Sequence, residues 1–199
     1  MTPGGAGPAA PGAGTLRERL LAGQVYLEAR NGERYRVRPI APGDAPSMIR
    51  GFNVLSPQQR WFRFLHTVPE LTPEMAVAFC SPDPVLDICL VLEGQGALAG
   101  DIVGGARITG EPNREVGEFS VSMRPELQGL GLARQVLQTA LEAAAEAGYQ
   151  RVIGFVAARN IAMLRLAERL GFTVRFDPDD PAQRIAEIEL AGGAIPPAA

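Results

Sequence analysis

Alternation and helical periodicity divide the chain into a string of short strands and helices. Val25 to Ala29 and Arg34 to Ile40 are apolar-alternating runs on either side of Asn31-Gly32, two residues that tolerate positive φ, so the pattern predicts a hairpin. Asp44 is placed to cap a helix running to about Leu55. Ser56-Pro57 opens another that carries Gln58 to Leu65, and Thr72-Pro73 opens a third helical piece. Ile88 to Leu92, Gly100 to Ile108 and Glu115 to Met123 read as strands separated by glycine-rich or Pro-Asn turns, which is the pattern of an antiparallel meander. The period then changes: a helix over Leu130 to Ala147 follows, then a strand over Arg151 to Ala157. These make a strand-helix-strand unit with a right-handed crossover and two parallel strands. A helix from Asn160 to Leu170 and strands over Phe172 to Phe176 and Ile185 to Leu190 complete the sheet. The fold class expected is α/β (α+β), a mixed, mostly antiparallel sheet with flanking helices.

Composition changes this picture only at the ends. Residues 1–14 are nearly all Pro, Gly and Ala, so residues 1–23 read as a flexible tail and short lead-in, 24–190 as one domain, and 191–199 as a second tail. No stretch has the charged start of a secretion signal or the roughly 18 uninterrupted apolar residues of a membrane helix. The expectation is a cytoplasmic protein with no membrane partner. A net charge of −3 disfavours nucleic acid as a partner and is compatible with a cationic amine. Cys80 and Cys89 lie far apart with no companion histidines, His66 being the only one, so no metal site is expected and both cysteines read as small, reduced, apolar side chains.

The candidate chemistry sits where the period changes. Met123-Arg124-Pro125-Glu126-Leu127-Gln128-Gly129-Leu130-Gly131-Leu132-Ala133 joins an apolar strand to a long helix through a loop with two glycines. Glycines let a backbone approach a ligand closely, and a helix start offers unpaired N–H groups and a positive dipole end, which together suit a phosphate. A tight strand-to-helix turn is the structural alternative. The third glycine of a dinucleotide fingerprint and the Gly-Lys-Ser/Thr of a Walker loop are both missing.

This order of elements resembles the GNAT N-acetyltransferase superfamily, whose Gln/Arg-x-x-Gly-x-Gly/Ala signature is matched by Gln128, Gly131 and Ala133, with a later Asn…Gly-Phe matched by Asn160, Gly171 and Phe172. Val37-Arg38-Pro39-Ile40, Asp44, Leu55-Ser56-Pro57, Arg63-Phe64, Gly105-Ala106-Arg107-Ile108 and Gly117-Glu118-Phe119 are similar to the acetyltransferase domain of Pat-type protein lysine acetyltransferases, over about residues 25 to 190. The resemblance implies a GNAT fold with splayed central parallel strands, and acetyl-CoA as co-substrate without a metal. It also implies transfer to a primary amine, a protein lysine above all, in a ternary complex. A small-molecule amine acetyltransferase and a non-catalytic acyl-CoA-binding sensor are the alternatives. The oligomeric state stays open.

Residue by residue, the resemblance makes Glu118 the general base. Backbone groups of Val121, Ser122 and Met123 hold the pantetheine arm. Gln128, Gly129, Leu130, Gly131, Leu132, Ala133 and Arg134 cradle the pyrophosphate, and Asn160 bonds the pantetheine amide, with a helix cap as its structural alternative. Alternation independently puts Glu118 on one face with Ser120 and Ser122, and Phe119, Val121 and Met123 on the other. A structural ion pair to Arg107 is the competing role for Glu118, and Glu115 is the weaker candidate base. The family's tyrosine acid has no counterpart: after Asn160 the position reads Ala167. Trp61, Phe64 and Leu65 are expected to pack inward, with Arg60 and Arg63 turned to solvent or the acceptor cleft.

Overall fold

In the computed structural model, which describes residues 14–190, eight strands form one sheet in the order β1-β2-β3-β4-β5-β6-β8-β7. The strands are β1 (Val25–Glu28), β2 (Arg34–Pro39), β3 (Ile88–Glu93), β4 (Ile102–Gly110), β5 (Val116–Met123), β6 (Arg151–Ala157), β7 (Thr173–Phe176) and β8 (Gln183–Glu189). Every pairing is antiparallel except β5 with β6. The tails expected over residues 1–13 and 191–199 lie outside the described residues.

The segment read from sequence as a lead-in holds a helix. Thr15 and Glu18 close a capping box over α1 (Leu16–Leu21), Leu16 and Leu20 enter the main core, and the Leu16 N–H donates to the Glu146 carboxylate at 3.1 and 3.2 Å. The Thr-x-x-Glu spacing was the available signal for it.

Three further helices connect β2 to β3. Ala45–Asn53 forms α2, Pro57–Phe64 forms α3 and Pro73–Phe79 forms α4. Ser56 caps α3 reciprocally with Gln59, and the Thr72 hydroxyl accepts from the Met75 N–H at the start of α4. Asp44 precedes α2, but its side chain does not cap it. The carboxylate instead accepts from the Ala41 N–H at 2.8 Å and from both terminal nitrogens of Arg38 at 2.6 and 2.7 Å.

Leu132–Glu146 forms α5, two residues shorter at its start than expected, because Gly131 takes a left-handed φ of +84° as its N-cap. Leu132, Val136, Leu137, Ala140, Leu141 and Ala144 of this helix are wholly buried against the sheet, with Val37, Leu92, Val103 and Ile108 on the strands. Ile161–Arg169 forms α6, whose Ala167, with Leu170 and Phe172 beyond it, joins the same core. A smaller cluster of Ala45, Phe52, Val68, Leu71, Ala76 and Cys80 lies under α2 and α4.

The Arg38 knot also binds Glu93 from β3 at 2.6 Å, and Arg36 reaches the same carboxylate at 2.8 Å. Arg36 and then Arg38 hold Glu93 below the usual carboxylate range. Burial works to raise Asp44, but the bonds from Arg38 and Ala41 outweigh it and hold its carboxyl low as well. Both carboxyls therefore add stability above their ordinary pKa, near 4, and lose it as pH falls through the depressed folded values. Asp44→Asn is expected to lower denaturant stability at pH 7 much more than at pH 3. An equal loss at both pH values would remove the knot from the acid response.

Candidate active site

The parallel pair opens into a fork. Val116, Gly117 and Glu118 pair with Arg151, Val152 and Ile153, and beyond that rung β5 stays with β4 while β6 stays with β8. One cause is visible in the packing: the Phe119 ring lies over Gly154 so closely that any side chain there would run into it, and it continues onto Phe172 at 5.0 Å. From Phe119 onward the edge of β5 that faces β6 has no strand partner, so the sheet leaves its peptide groups there unpaired.

The resulting cleft, about 790 Å³, is lined by Glu118 to Met123 of β5, Leu127, Gln128, Gly129, Gly131 and Ala133 of the loop and helix start, Phe155 and Val156 of β6, and Asn160, Ala162, Met163 and Leu166. Leu55, Ser56, Gln58, Gln59 and the run from Phe62 to Leu65, around α3, complete its lining. Of the residues singled out from sequence, the cleft thus brings together Glu118, Val121, Ser122, Met123, Gln128, Gly129, Gly131, Ala133 and Asn160. Leu130, Leu132 and Arg134 are not on its wall, and the Leu132 side chain is wholly buried in the core.

The loop is built for close approach. Gly129 and Gly131 take φ of +79° and +84°, a region costly for other residues, and no atom lies within 4 Å of where a Cβ of Gly129 would stand. No side chain caps α5, so its first-turn N–H groups face the loop without a side-chain acceptor. The Gln128 amide donates to the Met123 carbonyl at 3.4 Å. Sequence reasoning missed Arg30: its N–H donates to the Leu130 carbonyl at 3.0 Å and its guanidinium to the Gly129 carbonyl at 3.3 Å, which sets a positive charge beside the loop. Gln135 fixes the same hairpin from α5 by donating to the Glu28 carbonyl at 2.8 Å.

Glu118 stands at the last paired rung before the fork, exposed, opposite Thr109, its carboxylate making no hydrogen bond or ion pair among the described residues. The ion pair with Arg107 is not formed; Arg107 reaches Asp87 instead, at 3.3 Å. Glu115 lies outside the cleft, exposed before β5. Asn160 lines the cleft and also caps α6, its side-chain oxygen accepting from the Met163 N–H at 3.2 Å.

Trp61 departs from the inward packing expected of it: it is half-buried beside Phe62 at 6.0 Å and under the Arg159 guanidinium at 5.8 Å. Phe64 does pack inward, on Phe52 and Phe79. Leu65 is a half-buried cleft residue that closes α3 with φ of +55°. Arg60 stacks on Phe52 at 4.3 Å, and Arg63 lines the cleft.

None of the three tyrosines lines the cleft. Tyr35 donates to Glu33 and Tyr149 to the Leu86 carbonyl, both at 2.7 Å, while Tyr26 carries the Arg34 guanidinium over its ring. His66 is exposed, with Nδ1 2.7 Å from the Phe64 carbonyl. Cys80 and Cys89 are buried free thiols, pushed by burial up to about 11 and about 12, and so remain protonated at neutral pH. Among the described residues no three His, Cys, Asp or Glu side chains gather as a metal site, and no helix is long and apolar enough to cross a membrane.

Comparison with known proteins agrees with this geometry. The chain is 28% identical over 184 residues to an acetyltransferase of Pseudomonas aeruginosa, covering 85% of this chain and 92% of that one. It is 27% identical over 158 residues to the acetyltransferase Pat of Mycolicibacterium smegmatis, covering 78% of this chain but 46% of that longer protein. The fold superposes on the GNAT domain of S. lividans PAT with a TM-score of 0.75 at 21% identity, over 83% of this chain and 96% of that domain. It also superposes on an acetyltransferase from Salmonella typhimurium, solved with its cofactor acetyl-CoA, with a TM-score of 0.62 at 22% identity, over 84% of this chain and all of that one. The model of the acetyltransferase (GNAT) family matches residues 56–172, more than half of the chain. That span runs from the cap of α3 to the end of α6 and so contains the cleft lining from Ser56 onward: the chain belongs to the GNAT family of acetyltransferases.

Proposed function

We propose that the protein transfers an acetyl group from acetyl-CoA to a primary amine within a ternary complex, with Glu118 as general base. The observation that carries this reading is the position of Glu118: an unpaired carboxylate on the last rung before the strands fork, at the floor of the cleft.

Acetyl-CoA supplies an acyl carbon activated as a thioester: the amine nitrogen bonds to that carbon, the carbon–sulfur bond breaks, and the thiolate leaves with the electron pair. A lysine-like amine, with a pKa near 10.4, is neutral in only about four molecules per ten thousand at pH 7, so the chain must take a proton from it. Glu118 does so directly or through a water held beside Ser120 and Ser122, and passes it to solvent or to the departing sulfur. The free edge of β5 around Val121 offers backbone N–H groups for the pantetheine arm and for the charge that gathers on the carbonyl oxygen. Gly129, Gly131 and the first turn of α5, with Arg30 beside them, suit a pyrophosphate. With no tyrosine on the cleft wall, the sulfur leaves as thiolate, whose basicity, near that of a cysteine at about 8.5, permits it. Cys89, held as a thiol, is no candidate for a covalent acetyl carrier.

A protein lysine is the acceptor that the similarity to the mycobacterial Pat supports. A small-molecule amine is the second reading, favoured by one feature: a cavity of about 100 Å³ between the helices and β3, β4 and β5, too confined for a protein surface, shares Leu55, Arg63, Phe64, Ser120, Ser122 and Met123 with the cleft. Initial rates measured with both substrates varied test the ternary complex. Intersecting double-reciprocal lines are expected, and parallel lines would replace direct transfer with an acetylated enzyme.

A further inference from the structure

The inner cavity is apolar apart from a small polar corner. Met48, Phe52, Leu55, Phe64, Leu71 and Phe79 supply much of its wall, while Arg63 of α3 and Arg107 of β4 line it together with Ser120 and Ser122 of β5 and with Arg124, which is paired with Asp101. Arg63 makes no hydrogen bond and no ion pair among the described residues; its one close partner is the Phe64 ring, 5.4 Å from the guanidinium carbon. Arg107 is barely better satisfied. It donates to the Phe79 carbonyl at 3.4 Å and to Asp87 at 3.3 Å, and its Nε is buried with no acceptor.

Two arginines converging on a partly enclosed space, Arg63 with no anion among the described residues and Arg107 with one 3.3 Å contact to Asp87, are costly, because a desolvated cation regains its lost hydration only from a counter-charge. Burial, and then the charge of Arg107, lower the pKa of Arg63. Of the carboxylates nearby, only Asp87 touches either arginine. Asp44 holds Arg38, Asp87 holds Arg107 through one oxygen, and Asp101 holds Arg50 and Arg124. Glu118 shares the cleft but bonds to neither arginine. An unpaired, partly desolvated cation in a cleft is a candidate binding group.

We propose that Arg63 and Arg107 bind a carboxylate of the acceptor, which makes the substrate of this enzyme a small primary amine of the amino-acid class with an apolar side chain. This rests on the reading of the cleft as an acetyl-transfer site and takes the small-molecule acceptor in preference to the protein lysine. The register supports the placement. Arg107 is paired with Ser120, and Glu118 lies two residues back along β5 on the same face, about 7 Å away along the strand. A carboxylate held by the arginine forks leaves the amine a few bonds away to face Glu118, and the side chain enters the cavity among the phenylalanines. A guanidinium pair suits this task because its fixed N–H forks match both oxygens of a carboxylate.

The test compares L-leucine with isopentylamine, which is leucine without its carboxylate, and with a lysine-bearing peptide, each as acceptor with acetyl-CoA. Leucine is expected to exceed isopentylamine in kcat/KM by about a hundredfold or more, since a site built around a polar group rejects the analogue lacking it. Arg63→Gln should erase that preference with acetyl-CoA affinity intact, and Arg63→Lys should keep part of it. Binding of N-acetyl-L-leucine, but not N-isopentylacetamide, to the coenzyme A-bound protein reads the same site without turnover. Equal use of leucine and isopentylamine, or a preference that survives Arg63→Gln, overturns the carboxylate site while leaving acetyl transfer standing. Arg63-dependent binding of N-acetyl-L-leucine with no amine acetylated would uphold the site and overturn the transfer.

Discussion

Glu118→Gln is expected to lower turnover about a hundredfold or more near neutral pH while leaving the Kd for acetyl-CoA unchanged. The substitution keeps the side chain's size, and the Glu118 carboxylate has no hydrogen bond or ion pair among the described residues to lose, so the fold has no reason to respond. What disappears is the carboxylate proposed to accept the amine's proton, the only Asp or Glu side chain on the cleft wall among the described residues. The deficit should shrink as pH rises, because the neutral fraction of the amine grows about tenfold per unit below its pKa near 10.4 and needs the base less. Steady-state kinetics from pH 7 to 9.5, beside calorimetric titration of acetyl-CoA, read both quantities. Unaltered turnover would take Glu118 out of the mechanism.

The second large effect concerns the cofactor side. Gly131→Val should weaken acetyl-CoA binding about tenfold or more and leave the protein folded. At φ of +84° a β-branched residue is strained, and the space its side chain would enter, 3.7 Å from the Arg30 guanidinium, is where a phosphate would approach α5. Atoms near that point are few enough that the loop can shift without breaking the core. Calorimetric titration and a denaturation curve separate the two consequences. Normal affinity in a folded Gly131→Val protein would sink the assignment of this loop to the pyrophosphate.

Elements governed by local chemistry could be read directly from the chain. Asn31-Gly32 named the hairpin, Ser56 and Thr72 named the starts of α3 and α4, and the change of period at Met123 located the single parallel crossover. The six-residue α1 hid just after a Pro/Gly/Ala-rich tail despite its capping box, because it is held by the core and by Glu146, 130 residues away. Contacts across such distances have no local signature. Arg30 illustrates the point: it reads as a hairpin residue, and only the docking of the hairpin tip on Gly129 and Leu130 brings it to the glycine loop.

The same limit shaped the reading of the site. Alternation correctly put Glu118 on the face of Ser120 and Ser122, but not the exposure of its carboxylate or the diversion of Arg107 to Asp87. A basic-aromatic run, Arg60 to Phe64, contained both a structural arginine stacked on Phe52 and an unpaired one facing the cleft. Spacing alone assigns neither, since the difference lies in which carbonyls and carboxylates the surrounding elements supply.

The most direct test of the account is thiol release from acetyl-CoA by the purified protein, run with apolar amino acids, small amines and lysine-bearing proteins, and matched to mass detection of the acetylated product. The account expects release that depends on an added amine, with one amide formed per thiol. Tight acetyl-CoA binding with no amine-dependent release on any acceptor would contradict it and leave a cofactor-binding sensor in its place.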